Sequence, residues 1–174
     1  MNYLIKDNSA IGFFGTAQLI ITGLMIIPTT FNQIIVPYVS GNCKSKNKVI
    51  KIYNGYYKKM ISLIFISFFV IPVFIPIIFG SKYVNSISYF RILLVGLFFW
   101  SISATRGIIL LGIGQVKYNF YVSLVTACFN IAFNYVLILK FGASGAAYGT
   151  VLGFFVGSIV SKKIFHKAIN NKYI

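Results

Sequence analysis

The stretch Tyr118–Leu139, YNFYVSLVTACFNIAFNYVLIL, carries no charge, and after the single Lys140 neither does Phe141–Ser161, FGASGAAYGTVLGFFVGSIVS. Each run reaches the roughly 20 residues needed to cross a hydrocarbon core. Two further charge-free stretches lie upstream, Asn8–Cys43 and Met60–Ser81. A fifth apolar segment near 87–113 carries Arg91 at its start and Arg106 inside it. The pattern predicts an all-α membrane protein of about five transmembrane helices in one domain, 1–174. The expected helices cover about 11–38, 58–79, 87–113, 118–139 and 145–164, with a basic cytoplasmic loop at 42–59.

Composition excludes a soluble reading. Of 174 residues 58% are apolar, and Asp7 is the only acidic side chain. A water-soluble domain of this size needs far more polar surface. The formal charge of +15 would suggest nucleic acid in a soluble protein. Here the lysines cluster between apolar runs, so they read as membrane-edge residues facing lipid, and nucleic-acid binding is not expected. Met1–Ala10 lacks a compact basic start and a cleavage site, so no signal peptide is expected.

The loop charges set the expected orientation. Assigning the first and third loops and the tail to the cytoplasm places eleven lysines inside, against Lys6, Lys82, Arg91 and Lys140 outside. The positive-inside rule then predicts a multi-pass protein with its N-terminus out and its C-terminus in. Within the first loop Val49, Ile52, Tyr53 and Tyr56 fall at helical spacing among lysines. That segment is either a short helix lying on the inner leaflet or a solvated basic loop.

Several residues inside the spans are candidates for function or packing. Gly145, Gly149, Gly153 and Gly157 recur every four residues, a ridge that lets another helix approach closely. Asn130 and Asn134 share one helix face, and Gln18, Asn32 and Gln33 add polar groups at mid-membrane depth. These serve as bridges between helices or as the lining of a cavity. Pro28, Pro37, Pro72 and Pro76 are expected to kink their helices. Arg106 lies about 9 Å in from the helix end near Gly112. It has no acidic partner in any span, so it snorkels to the interface or faces a hydrated lumen and an anion. Arg91, about 60° away around the same helix, is a second lumen candidate or an ordinary anchor near the outer surface.

Absences narrow the chemistry. No span carries a carboxylate for a proton relay. One Asp and one His at the periphery do not supply the acid, base or metal ligands of a membrane enzyme, so no enzyme, cofactor or metal is expected. Cys43 and Cys128 have neither disulfide-scaffold nor metal spacing.

An ordered set of segments resembles one transporter family. Leu110-Leu-Gly-Ile-Gly-Gln-Val-Lys117 resembles the turn after the tenth helix of bacterial polysaccharide flippases. Phe129-Asn-Ile-Ala-Phe-Asn-Tyr-Val-Leu-Ile138 and Phe141-Gly-Ala-Ser-Gly-Ala-Ala-Tyr-Gly-Thr150 are similar to the pattern that follows it. Gly12-Phe-Phe-Gly-Thr-Ala-Gln-Leu19 with Val36-Pro-Tyr-Val-Ser40 looks like the eighth helix, and Ile78-Phe-Gly-Ser-Lys-Tyr83 like the end of the ninth. The family is the polysaccharide transporter branch, including O-antigen flippases, of the multidrug/oligosaccharidyl-lipid/polysaccharide exporter superfamily.

The resemblance implies one lobe of a two-lobe exporter-type bundle. It further implies translocation of undecaprenyl-diphosphate-linked oligosaccharide through a cationic lumen, to which Arg106 and Arg91 would belong. The family's first bundle and seventh helix have no counterpart here, so an N-terminal lobe or partner chain is expected. The alternatives are a lobe of a multidrug exporter, and a non-transporting membrane subunit or inactive remnant.

Overall fold

In a computed structural model the protein is described over residues 8–42 and 46–173. Four long apolar helices dominate it: α1 (Asn8–Asn42), α2 (Lys46–Phe79), α3 (Ser86–Gly112) and α4 (Val116–Tyr173). A short 3-10 segment, Ser81–Asn85, links α2 to α3. No strand occurs among the described residues. All four helices are long and apolar enough to cross a membrane, and side chains such as Ile26, Phe65, Ile77 and Ile131 are more than 60% exposed. That much exposed apolar surface is stable only against lipid. The protein is an all-α membrane protein.

The count of long helices is four rather than about five because the spans expected at 118–139 and 145–164 run on as α4, whose two helical arms meet at a kink at Gly142. At about 1.5 Å per residue a straight helix of 58 residues would run about 87 Å, far beyond a bilayer. Gly142 interrupts α4 with φ 59° and ψ −132°, a conformation that costs glycine least. The chain folds back there. Gly149 approaches Asn134 and Gly153 approaches Asn130, so the two arms of α4 are antiparallel.

The second correction concerns the basic loop expected at 42–59. Residues 46–59 are the first turns of α2, while Cys43 and Lys44 lie outside the described residues. Val49 and Tyr56 of this segment are buried with Val39 of α1, Ile109 of α3 and Ala168 of α4. Its apolar face therefore packs on protein instead of on the inner leaflet.

Helix α3 is the hub. More than half of its most apolar stretch is buried, against 6–11% in the other three helices. It packs most extensively on α4 and α1, and Phe90, Leu94, Ile109 and Leu110 are fully enclosed. Its end is a Schellman turn: Gln115 N donates to Leu110 O at 2.8 Å and Gly114 N to Leu111 O at 3.0 Å. Gly114 supplies the positive φ of 79° that this turn requires. The four prolines sit inside α1 and α2 without ending them. Beside Pro28, the Thr29 and Thr30 hydroxyls bond the Met25 and Ile26 carbonyls at 2.9 and 2.8 Å. Hydroxyls of this kind supply hydrogen bonds where a proline weakens a membrane helix.

Candidate functional site

A groove of 800 Å³ opens between α1, α3 and the first arm of α4. Helix α1 contributes Thr29, Asn32, Gln33 and Val36, one face of a helix by their spacing. Helix α3 supplies Trp100 and Ser103, and α4 supplies Asn119, Ser123, Thr126 and Asn130. None of the lining side chains is charged.

Part of the groove's polar lining is satisfied within its own helices: the Thr29 hydroxyl donates to Met25 O at 2.9 Å and that of Thr126 to Val122 O at 2.7 Å. Several threonine hydroxyls elsewhere are satisfied within their own helices, as in Thr16 to Gly12 O at 3.0 Å, Thr22 to Gln18 O at 2.9 Å and Thr150 to Ala146 O at 2.9 Å. In the groove, Gln33, Ser103, Asn119 and Ser123 make no side-chain hydrogen bond with the described residues. A polar group without a partner costs several kcal/mol in hydrocarbon, of the order ~2–7. Amides and hydroxyls converging on one concave surface at membrane depth therefore make it a site for water or a hydrogen-bonding ligand.

Close backbone contacts set the positions of these side chains. A Cβ at Gly107 would overlap Asn119 Oδ1, so α3 and α4 meet with the amide lying directly on the glycine. The glycine ridge does the same across the hairpin. A Cβ on Gly149 would stand 2.8 Å from the Asn134 Cα, and one on Gly153 2.8 Å from the Asn130 Cα. Gly157 faces Thr126, and Gly145 the Leu137 carbonyl. The Asn134 side-chain amide donates to Asn130 O at 2.9 Å and to Asn130 Oδ1. Asn130 thus lines the groove and Asn134 holds it from behind.

On α1, Asn32 is 5% exposed, and its Oδ1 lies 3.0 Å from the Thr105 hydroxyl. Asn119, Ser103 and Ser123 were not singled out by sequence reasoning. The signal available was the spacing Asn119, Ser123, Thr126, Asn130, which is one helix face.

The two arginines do not share a cavity, and neither lines the groove. Arg106 is 8% exposed and is held by protein groups. Its Nη1 donates to Ser158 O at 2.8 Å and Ser161 Oγ at 2.9 Å, and its Nη2 to the Tyr53 hydroxyl at 2.6 Å. Through these bonds it ties α2, α3 and the second arm of α4 together. Arg91 is exposed, with its guanidinium 5.0 Å from the centroid of the Phe68 ring on α2. Among the described residues no three His, Cys, Asp or Glu side chains come together as a metal site.

Over 107 residues the chain is 36% identical to an uncharacterized membrane protein of Methanocaldococcus jannaschii. The aligned region is 59% of this chain and 21% of that protein. The chain therefore spans about a fifth of the length of the relative it matches. No protein-family profile and no solved structure matches it.

Proposed function

We propose that the chain forms one lobe of a transporter that moves a polyprenyl-diphosphate-linked oligosaccharide across the cytoplasmic membrane. The observation that carries this reading is the uncharged groove with unpaired amides and hydroxyls of Gln33, Ser103, Asn119 and Ser123. Sugar hydroxyls both donate and accept hydrogen bonds, and amide side chains match them in both roles. Such groups are costly in an apolar bundle unless another helix, water or a polar solute meets them. The segments that resemble polysaccharide flippases include the Asn130–Asn134 helix, which carries part of the groove. In this reading α1 enters from the outer face, and the lysine-rich ends of α2 and α4 lie in the cytoplasm, as the positive-inside rule directs. A second lobe, on the same chain or a partner, closes the groove into a passage.

The groove handles sugars, and the diphosphate is recognised elsewhere, since Arg106 is engaged by Tyr53, Ser158 and Ser161. The test is retention of a lipid-linked oligosaccharide by the purified chain in nanodiscs. Retention should exceed that of the bare polyprenyl diphosphate and fall about tenfold in Asn119→Leu with Asn130→Leu. Equal retention of the glycosylated and bare lipids would remove the assignment of the groove to sugar.

A further inference from the structure

A second cavity, 320 Å³ in volume, lies between α2 and α3 and is lined by Ile61, Ile64, Phe65, Phe68, Val95 and Phe98. Its α3 residues, Val95 and Phe98, point to the opposite side of that helix from Trp100, Ser103 and Ala104 of the polar groove, at about 100° per residue. The cavity is entirely apolar, and Phe65 and Val95 are 66% and 47% exposed. It opens to the apolar outer surface of the bundle.

Arg91 stands one turn before Val95 on the same face of α3, with its guanidinium over the Phe68 ring that lines the cavity. Among the described residues no acidic side chain stands beside this cation. A cation–π contact offsets only part of what an arginine costs inside a span. Arg91 is about 8 Å along α3 from its start at Ser86. That is within reach of a lipid phosphate drawn slightly inward, the local thinning by which membranes accommodate arginine.

We infer that the α2–α3 cavity is a binding site for one anionic phospholipid, its acyl chain in the cavity and its phosphate on the Arg91 guanidinium. The planar guanidinium can donate two parallel hydrogen bonds to phosphate oxygens, and the aromatic walls hold the chain. The site is independent of the polar groove and of the function proposed for it.

The experiment uses the intact chain in phosphatidylcholine nanodiscs doped with phosphatidylglycerol that carries a photoreactive acyl chain. Crosslinks should map to peptides containing residues 61–68 and 95–98. Arg91→Gln should reduce that labelling about fivefold, the ratio given by about 1 kcal/mol for one cation at a phosphate. Lys58→Gln, beyond the other end of the cavity, should leave it unchanged. Val95→Trp, which fills the cavity and keeps the charge, should also abolish labelling, and it serves if Arg91→Gln does not fold. Labelling indifferent to both Arg91→Gln and Val95→Trp overturns the site. So does equal labelling by a photoreactive phosphatidylcholine, or stronger labelling by a photoreactive prenyl phosphate.

Discussion

The Arg106 guanidinium donates to the Tyr53 hydroxyl at 2.6 Å while lying 5.2 Å from the centroid of the same ring. One tyrosine on α2 thus offers both an acceptor and a π face to a cation on α3. The Ser158 carbonyl and Ser161 hydroxyl on α4 complete the set. A buried cation without a carboxylate is tolerated when neutral acceptors fill its donors.

Truncating that cluster should destabilise the bundle. Tyr53→Phe keeps the ring and loses the hydroxyl, and should cost about 1.5–3 kcal/mol, the range for hydrogen bonds to charged groups. Arg106→Lys should also be destabilising, because an ammonium cannot reproduce the fork. Thermal unfolding of the purified variants in detergent measures both. A Tyr53→Phe midpoint equal to wild type would show that the hydroxyl contributes nothing.

Gly107 and Asn119 should behave as a coupled pair. Gly107→Ala places a methyl group into Asn119 Oδ1, so it should destabilise by about 1–3 kcal/mol. Combining it with Asn119→Gly should restore most of the loss, a coupling within the 0.5–3 kcal/mol seen for contacting residues. Additive losses in the double variant would contradict the close approach.

The glycine ridge should separate sharply from lipid-facing glycines. Gly149→Leu meets the Asn134 backbone, whereas a side chain added at Gly12 or Gly15 meets nothing within 4 Å. Membrane abundance should fall for Gly149→Leu and hold for Gly12→Leu and Gly15→Leu. Gly142→Ala should cost about 1–3 kcal/mol, since φ 59° with ψ −132° is a backbone region that residues with a Cβ rarely occupy.

Water access should follow the groove. In a background with Cys43→Ser and Cys128→Ala, Ser103→Cys and Ser123→Cys should react with a membrane-impermeant thiol reagent applied to the purified chain in nanodiscs. Thr22→Cys, exposed on α1 with its native hydroxyl satisfied by Gln18 O, should not. Equal reactivity at all three positions would mean that the groove is no wetter than the lipid face.

Sequence alone determined that this chain is helical and lies in a membrane. Charge-free runs of twenty or more residues have no other stable home, and their length is set by bilayer thickness. It also singled out the spaced glycines and the Asn130–Asn134 pair, because four-residue spacing defines a helix face whatever the neighbours are. Tertiary structure decided which faces meet. Six lysines between two apolar runs read as a loop, yet residues 46–59 are helical because Val49 and Tyr56 find partners on α1, α3 and α4. Arg106 and Arg91, 60° apart by helical arithmetic, are assigned to separate surroundings by what packs beside each: Tyr53 and α4 around one, Phe68 and the lipid-facing cavity beside the other. Helix periodicity is a local property, fixed by backbone geometry; the partner of a side chain depends on contacts between residues far apart in the chain, which no local pattern encodes.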